Sequence, residues 1–447
     1  MKANGNANWT PADAAELYGI RNWGAGYFDL ADDGAVTVNV TSDGQRVSVS
    51  IPDIIAGMQQ RGLQMPVLLR IENLLDSQLT LINETFARAI SNLGYRGCYR
   101  GVFPIKVNQQ CQVIEEIARF GASYGHGLEA GSKAELLIAL ASLDPDSSHI
   151  VCNGYKDEEF ITLGLQSLKL GYRCTFVIET PTELPVILAC SRRIGVRPIL
   201  GLRVKLASRV GGYWNESSGD RSLFGLTTSQ IVEVIDALRE HEMLDCLQLL
   251  HYHLGSQIPN IRDIRSGVLE ACRYYVDLVK EGAALGYLDL GGGLAVDYDG
   301  TQTNFEYSKN YSLDEYCTDI VETIMTTLDP EGIAHPVIVT RRGPRRNRDQ
   351  VLAGSRGWPI DRAAIHTIIR RGTKRSVHMP SLLDTPVTTL RRQPNSARRP
   401  MPAQRSALIA ANRRIQPGRV WPATWWNSVI VRPGHRLHSR TPRGASS

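Results

Sequence analysis

Residues 101–161 read GVFPIKVNQQCQVIEEIARFGASYGHGLEAGSKAELLIALASLDPDSSHIVCNGYKDEEFI. Short apolar runs end near Lys106, Glu129 and Asn153, and stretches of helical periodicity, Gln110–Phe120 and Lys133–Leu143, separate them. The alternation continues downstream. Apolar runs end near Glu179, Arg203, His253, Gly291 and Thr340, and helical stretches cover roughly Glu158–Leu170, Thr182–Ile194, Thr228–His241, Ile261–Gly282 and Leu313–Leu328. Strands alternating with helices pair in parallel, because a parallel pair needs a crossover connection. Eight such strands over about 240 residues suit an α/β fold of the (β/α)8 TIM-like barrel type. A doubly wound open sheet is the rival on periodicity alone. In a barrel the C-terminal strand ends converge on one face, so the polar residues closing these runs become candidates for one site.

Upstream, residues 1–70 mix a short helix (Pro11–Tyr18) with strand-like runs (Ala35–Val40 and Arg46–Ile51) around an Asp43-Gly44 turn. A longer helix runs from about Asn73 to Asn92. The chain therefore divides into N-terminal β/α elements (1–70), a barrel (71–340) and a remainder (341–447).

Charge marks the last boundary. The whole chain carries 50 Lys+Arg against 45 Asp+Glu, a net of +5. Residues 341–447 hold 22 Arg, one Lys, three acids (Asp349, Asp361, Asp384) and 11 of the 22 prolines, with no Glu, Phe, Tyr or Cys. That segment has a net charge of +20, and the first 340 residues have −15. The acidic part argues against nucleic acid as its partner. The basic tail, with Trp421, Trp425 and Trp426 as stacking candidates, leaves a nucleic-acid arm open. No run of 18 apolar residues exists, so no membrane span is expected. Met1–Asn6 lacks an apolar signal region, and the eight cysteines show no paired spacing, which reads as reduced thiols in a cytoplasmic protein.

Lys106 lies in FPIKVNQ (103–109). A lysine at a buried strand end is costly as a charged group, and a neutral amine forms Schiff bases with aldehydes; the plainer reading is a lysine reaching solvent past the strand. In DLGGGLAVDYDGT (289–301), Gly291, Gly292 and Gly293 let backbone N–H groups approach a phosphate, although a tight turn explains them as well. LHYHLGSQIPNIRDI (250–264) puts His251 and His253 on one face of a strand. No third ligand at metal spacing accompanies them. One imidazole could stack on an aromatic cofactor with Ser256 bonding a phosphate, and the other could be a satisfied core histidine. In GLEAGSKAEL (127–136), Glu129 closes a strand, and Ser132 with Glu135 forms a capping box. VCNGYKDEEFI (151–161) is a further strand end that runs into a helix.

Taken together and in order, these five motifs resemble the biosynthetic arginine decarboxylases, barrel-type pyridoxal-phosphate enzymes akin to ornithine and diaminopimelate decarboxylases. The resemblance runs from about Trp9 to Thr340. It implies conversion of L-arginine to agmatine and carbon dioxide, feeding polyamine synthesis, with pyridoxal 5'-phosphate as cofactor and Mg2+ beside it. Lys106 matches the lysine that holds the cofactor, and His253 the imidazole stacked on its ring; these are the two catalytic candidates. Ser256, Gly291, Gly292 and Gly293 match phosphate contacts, and Glu129 and Arg203 match polar residues near the cofactor. The stretch Leu285, Gly286, Tyr287, Leu288, Asp289, Leu290, Gly291–Gly293, Leu294 and Ala295 matches the substrate-binding segment. Another decarboxylase of the same barrel family, or a non-catalytic relative, is the alternative.

The sequence departs from that family at the eighth strand. The family's Glu-x-Gly-Arg, whose Glu faces the cofactor's ring nitrogen, is replaced by Arg341-Arg342-Gly343-Pro344. A cation there opposes ring protonation, so impaired catalysis is expected. Ser222-Leu223-Phe224 also carries Leu223 where the family usually has Lys. The family's second, β-rich domain supplies a Cys-Asp element to the neighbouring subunit, and no Cys follows Cys317, which puts the homo-oligomer in doubt. Codons allowed for Arg341–Val351, read one nucleotide forward, permit Glu-Gly-Gly-Arg-Ala-Ala-Thr-Val-Thr-Lys-Tyr. The expectation is therefore an irregular, Arg/Pro-rich tail translated out of frame. Sequencing the gene across codon 341 should reveal the family's continuation in the shifted frame; an intact frame with no such shifted reading would sink the idea.

Overall fold

The computed structural model describes residues 9–42, 45–63, 67–145, 149–208, 224–298, 300–341 and 428–431. The N-terminal elements are α1 (Pro11–Leu17), α2 (Ile20–Trp23), β1 (Phe28–Leu30), β2 (Val36–Ser42), β3 (Gln45–Ser50), α3 (Ile51–Gln60), β4 (Leu68–Ile71) and α4 (Glu72–Leu93). Thr10 starts α1 with a reciprocal capping box to Asp13, and Ser50 caps α3. β1, β2 and β3 form an antiparallel sheet in which Ser42 lies opposite Gln45. The Asp43-Gly44 turn expected between them lies outside the described residues. Phe28, Val38, Val40, Ile71 and Leu74 form the core of this part, so α4 is anchored in it through Leu74.

From Tyr99 the expected rhythm is realised. The strands are β5 (Tyr99–Pro104), β6 (Gly127–Ala130), β7 (His149–Cys152), β8 (Arg173–Ile178), β9 (Ile199–Arg203), β10 (Leu247–His251), β11 (Tyr287–Asp289) and β12 (Val337–Arg341). The helices between them are α5 (Cys111–Gly121), α6 (Lys133–Ser142), α7 (Glu158–Leu168), α8 (Glu183–Ile194), α9 (Thr228–Glu240), α10 (Ile261–Lys280) and α11 (Leu313–Leu328). β5 to β12 are parallel to their neighbours and close into a barrel, which excludes the open sheet. β12 runs one residue past Thr340, so Arg341 belongs to the barrel wall. Of the tail, residues Ser428–Val431 form a strand, β13, parallel to β4; every other tail residue beyond Arg341 lies outside the described set.

Strand alternation decides what the barrel holds. Val102, Val151, Val177, Leu249 and Val339 form one apolar layer inside it. Two residues further along their strands stand Asn153, Glu179, His251 and Arg341, all buried and all polar. The apolar layer thus seals the barrel below, and the C-terminal end is a polar floor. α4 packs outside β5, where Phe86 stacks on Tyr99 at 3.9 Å between ring centroids.

Candidate functional site

The first two candidates meet directly. Lys106 sits in a 3-10 turn (Ile105–Val107) just beyond β5, and its Nζ donates to Glu129 Oε1 at 2.9 Å. Its side chain is 59% exposed, so of the two sequence readings the structure shows the lysine that reaches solvent past the strand, carried out of the wall by the turn. Glu129 is fully buried, and its Oε2 has no partner. Beside it, Asn153 is buried with neither side-chain amide atom bonded. Polar atoms orphaned at the end of a barrel are expected where a polar ligand completes them.

Arg203, the last residue of β9, forms an ion pair with Glu179 Oε1, while Glu179 Oε2 accepts from the Gly154 backbone. Behind Glu179 lies Lys156, a wholly buried lysine that sequence reasoning passed over inside the VCNGYKDEEFI motif. Its Nζ donates to Gly154 O at 2.8 Å and to both Glu183 oxygens at 3.0 and 3.1 Å. Burial alone would raise the pKa of Glu179, but the Arg203 and Lys156 cations overcome it and hold the pKa at about 2.

The floor is completed by Asp289, at the end of β11. Its Oδ2 accepts from Arg341 Nε at 2.8 Å and Nη2 at 2.5 Å, and its Oδ1 accepts from the Gly291 backbone at 2.9 Å. Arg341 Nη1 also lies 3.7 Å from Glu129 Oε1, the oxygen that Lys106 uses. Asp289 is fully buried, yet Arg341 and His251 hold its pKa far below the usual carboxylate range.

The two histidines part company. His251 closes β10, is buried, and shares its Nδ1 with Asp289 at 3.1 Å to the carbonyl; burial first, then the Arg341 cation, push its pKa down. It is the satisfied core histidine. His253 lies beyond the strand, not on it, and accepts from the Gly292 backbone at 3.3 Å. Its side chain is exposed to solvent. The surrounding protein and the cations of Arg203, Arg341 and Lys106 push its pKa down, so the ring is neutral at pH 7.

Gly291 and Gly293 have φ of +64° and +130°, a region closed to most side chains. A Cβ on Gly291 would also lie 2.4 Å from Tyr252 O. The glycine run is thus required by the chain's own path, and it brings backbone N–H groups beside His253. Ser256 is half-buried and makes no hydrogen bond within the described residues. The stretch Leu285–Ala295 does not gather in one place. Leu285 and Gly286 precede β11, where Leu285 O accepts from Tyr275; Tyr287 packs low in the barrel under Arg173 and against His149, and Leu288 is fully buried. From Asp289 onward the stretch reaches the mouth. Leu223 lies outside the described residues.

Tested against pyridoxal phosphate, these residues fit: an amine, a neutral imidazole, a free serine hydroxyl, a glycine run and orphaned polar atoms stand at one barrel end. Arg341 is the one charge of unexpected sign. Among the described residues no group of three or more His, Cys, Asp or Glu could hold a metal ion. All eight cysteines are free, and no described helix is long and apolar enough to cross a membrane.

Comparison with known proteins points the same way. The family model for the pyridoxal-binding domain of pyridoxal-dependent decarboxylases matches residues 79–343. A biosynthetic arginine decarboxylase of Rhodopirellula baltica is 46% identical over 338 residues, covering 76% of this chain and 50% of that protein. Its counterpart in Thermosynechococcus vestitus is 44% identical over 337 residues, covering 75% of this chain and 53% of that protein. The chain spans about half the length of these curated relatives. The crystal structure of the Campylobacter jejuni biosynthetic arginine decarboxylase superposes with a TM-score of 0.66 at 33% identity, over 73% of this chain and 52% of that one.

The Glu179 ion pairs make a prediction about pH. Its pKa falls from 4.5 in the unfolded chain to about 2 in the fold, so its stabilisation is full above pH 4.5 and is lost as pH falls toward 2. In urea melts across that range, Glu179→Gln should lose about 3 kcal/mol less stability than the wild type. Parallel pH profiles would refute the pairing.

Proposed function

Since the chain belongs to the pyridoxal-dependent decarboxylase family, we propose that it binds pyridoxal phosphate at the barrel mouth and takes L-arginine as substrate, yielding agmatine and carbon dioxide for polyamine synthesis. The observation that carries the reading is the gathering of the Lys106 amine, the neutral His253 ring and the Gly291–Gly293 run at the C-terminal end of the barrel. Sequence identity to proteins named biosynthetic arginine decarboxylase supports arginine over ornithine and diaminopimelate. Eight free cysteines accord with a reducing, cytoplasmic setting.

Lys106 would hold the aldehyde end, and Ser256 with the backbone of Gly291–Gly293 would hold the phosphate. When bound, the cofactor supplies an electron-accepting ring for the charge left at Cα as carbon dioxide departs. Glu129 keeps the Lys106 ammonium at the mouth through its 2.9 Å hydrogen bond, ready to return a proton to Cα. Neutral His253 flanks the ring without adding charge. The Arg203–Glu179 pair and the Arg341–Asp289 pair are already satisfied, so they shape the floor rather than exchange protons.

Arg341 sets the expected level of activity. The family's carboxylate at this place favours a protonated ring nitrogen, and a guanidinium disfavours it. Asp289 and Glu129 compensate the Arg341 charge, but neither turns it into an acceptor. Catalysis is therefore impaired by several orders of magnitude, on the order of 10³-fold or more. Carbon dioxide release from arginine, ornithine and diaminopimelate, measured side by side on the purified chain, tests both parts. Slow turnover confined to arginine is expected. Turnover at ordinary enzyme rates would contradict the role given to Arg341, and preference for another amino acid would contradict the substrate.

A further inference from the structure

Gln257 has a backbone φ of +56°, a strained conformation for a residue with a side chain and one that glycine adopts freely. It follows Ser256 in the loop after β10, two elements away from the glycine run after β11. Its side chain accounts for its presence there. Gln257 Nε2 donates to Val296 O, and Gln257 Oε1 accepts from Val296 N at 2.9 Å. The amide thus imitates one rung of a parallel ladder between two loops. The next residue adds a true rung, with Ile258 N donating to Gly293 O at 3.0 Å. Tyr311, buried at the foot of α11, closes the bracket: its hydroxyl donates to Ile258 O and accepts from Ala295 N, both at 2.9 Å.

We propose that Gln257, braced by Tyr311, is a positioning residue that fixes the spacing between the Ser256 loop and the glycine loop and so preorganises a two-loop phosphate cradle. The inference rests on the cofactor reading above. Three successive tethers, at Gly293, Ala295 and Val296, hold the glycine run to its neighbour without using the Ser256 hydroxyl. With the amide bracket gone, the loops must be ordered on binding, and the ordering cost appears as lost affinity for the phosphate end alone.

The test is equilibrium titration of the full-length wild type, Gln257→Leu and Gln257→Gly with pyridoxal phosphate and with pyridoxal, which lacks the phosphate. Gln257→Gly relieves the backbone strain while removing the bracket, so it separates the two effects. Both variants should lose about tenfold in affinity for pyridoxal phosphate and less than about twofold for pyridoxal. Equal losses for the two ligands, as a merely structural role would give, or no loss in either variant, would overturn the role of Gln257 while leaving the cofactor reading standing. A wild-type chain that binds no pyridoxal phosphate would overturn both.

Discussion

Charge pairing at the C-terminal end of the barrel is the constraint on which the rest depends. Closure of eight parallel strands forces alternate side chains inward, and above the Val102–Val339 layer those positions include Asn153, Glu179, His251 and Arg341, all polar. Lys106, Lys156, Arg203 and Arg341 meet Glu129, Glu179, Glu183 and Asp289, and each has a partner of opposite sign. Removing one member of such a buried pair leaves its partner uncompensated, at a cost of about 3–5 kcal/mol. The Asn153 amide and one oxygen of Glu129 are left without a hydrogen-bond partner within this floor, and the exposed Lys106 amine stands over it, bonded to the other Glu129 oxygen.

Much of this was legible in the sequence because strand ends are local events. The apolar runs that end at Glu129, Asn153, Glu179 and Arg203 name the floor almost residue for residue. Pairing was not legible. Arg341 and Asp289 are 52 residues apart, and nothing in periodicity joins them. Lys156 drew no reading from the sequence, since its burial depends on Glu183 from the next helix. The turn that moves Lys106 out of the wall is a three-residue feature below the reach of periodicity. Gln257 left a trace only in hindsight: a glutamine where the chain path favours glycine.

The composition break at residue 341 falls where the barrel closes and where the family match ends, at residue 343. Three independent properties change within three residues. On one side lie an acidic sequence, a closed barrel and close relatives. On the other, the strand Ser428–Val431 is all that is described, and the chain reaches only about half the length of those relatives. Arg341 belongs to both sides. Its composition is that of the basic segment, while its place is in the strand, and Asp289 accommodates it. The barrel thus carries a cation at the end of its eighth strand and balances it with Asp289 and Glu129.

The central claim is that Lys106 is the residue that meets the cofactor's aldehyde. Incubating the full-length chain with pyridoxal phosphate, trapping with borohydride and mapping the labelled peptide addresses it directly. The account predicts one stable label, on the peptide carrying FPIKVNQ at Lys106. Labelling of Lys156, or no incorporation at all, would contradict it.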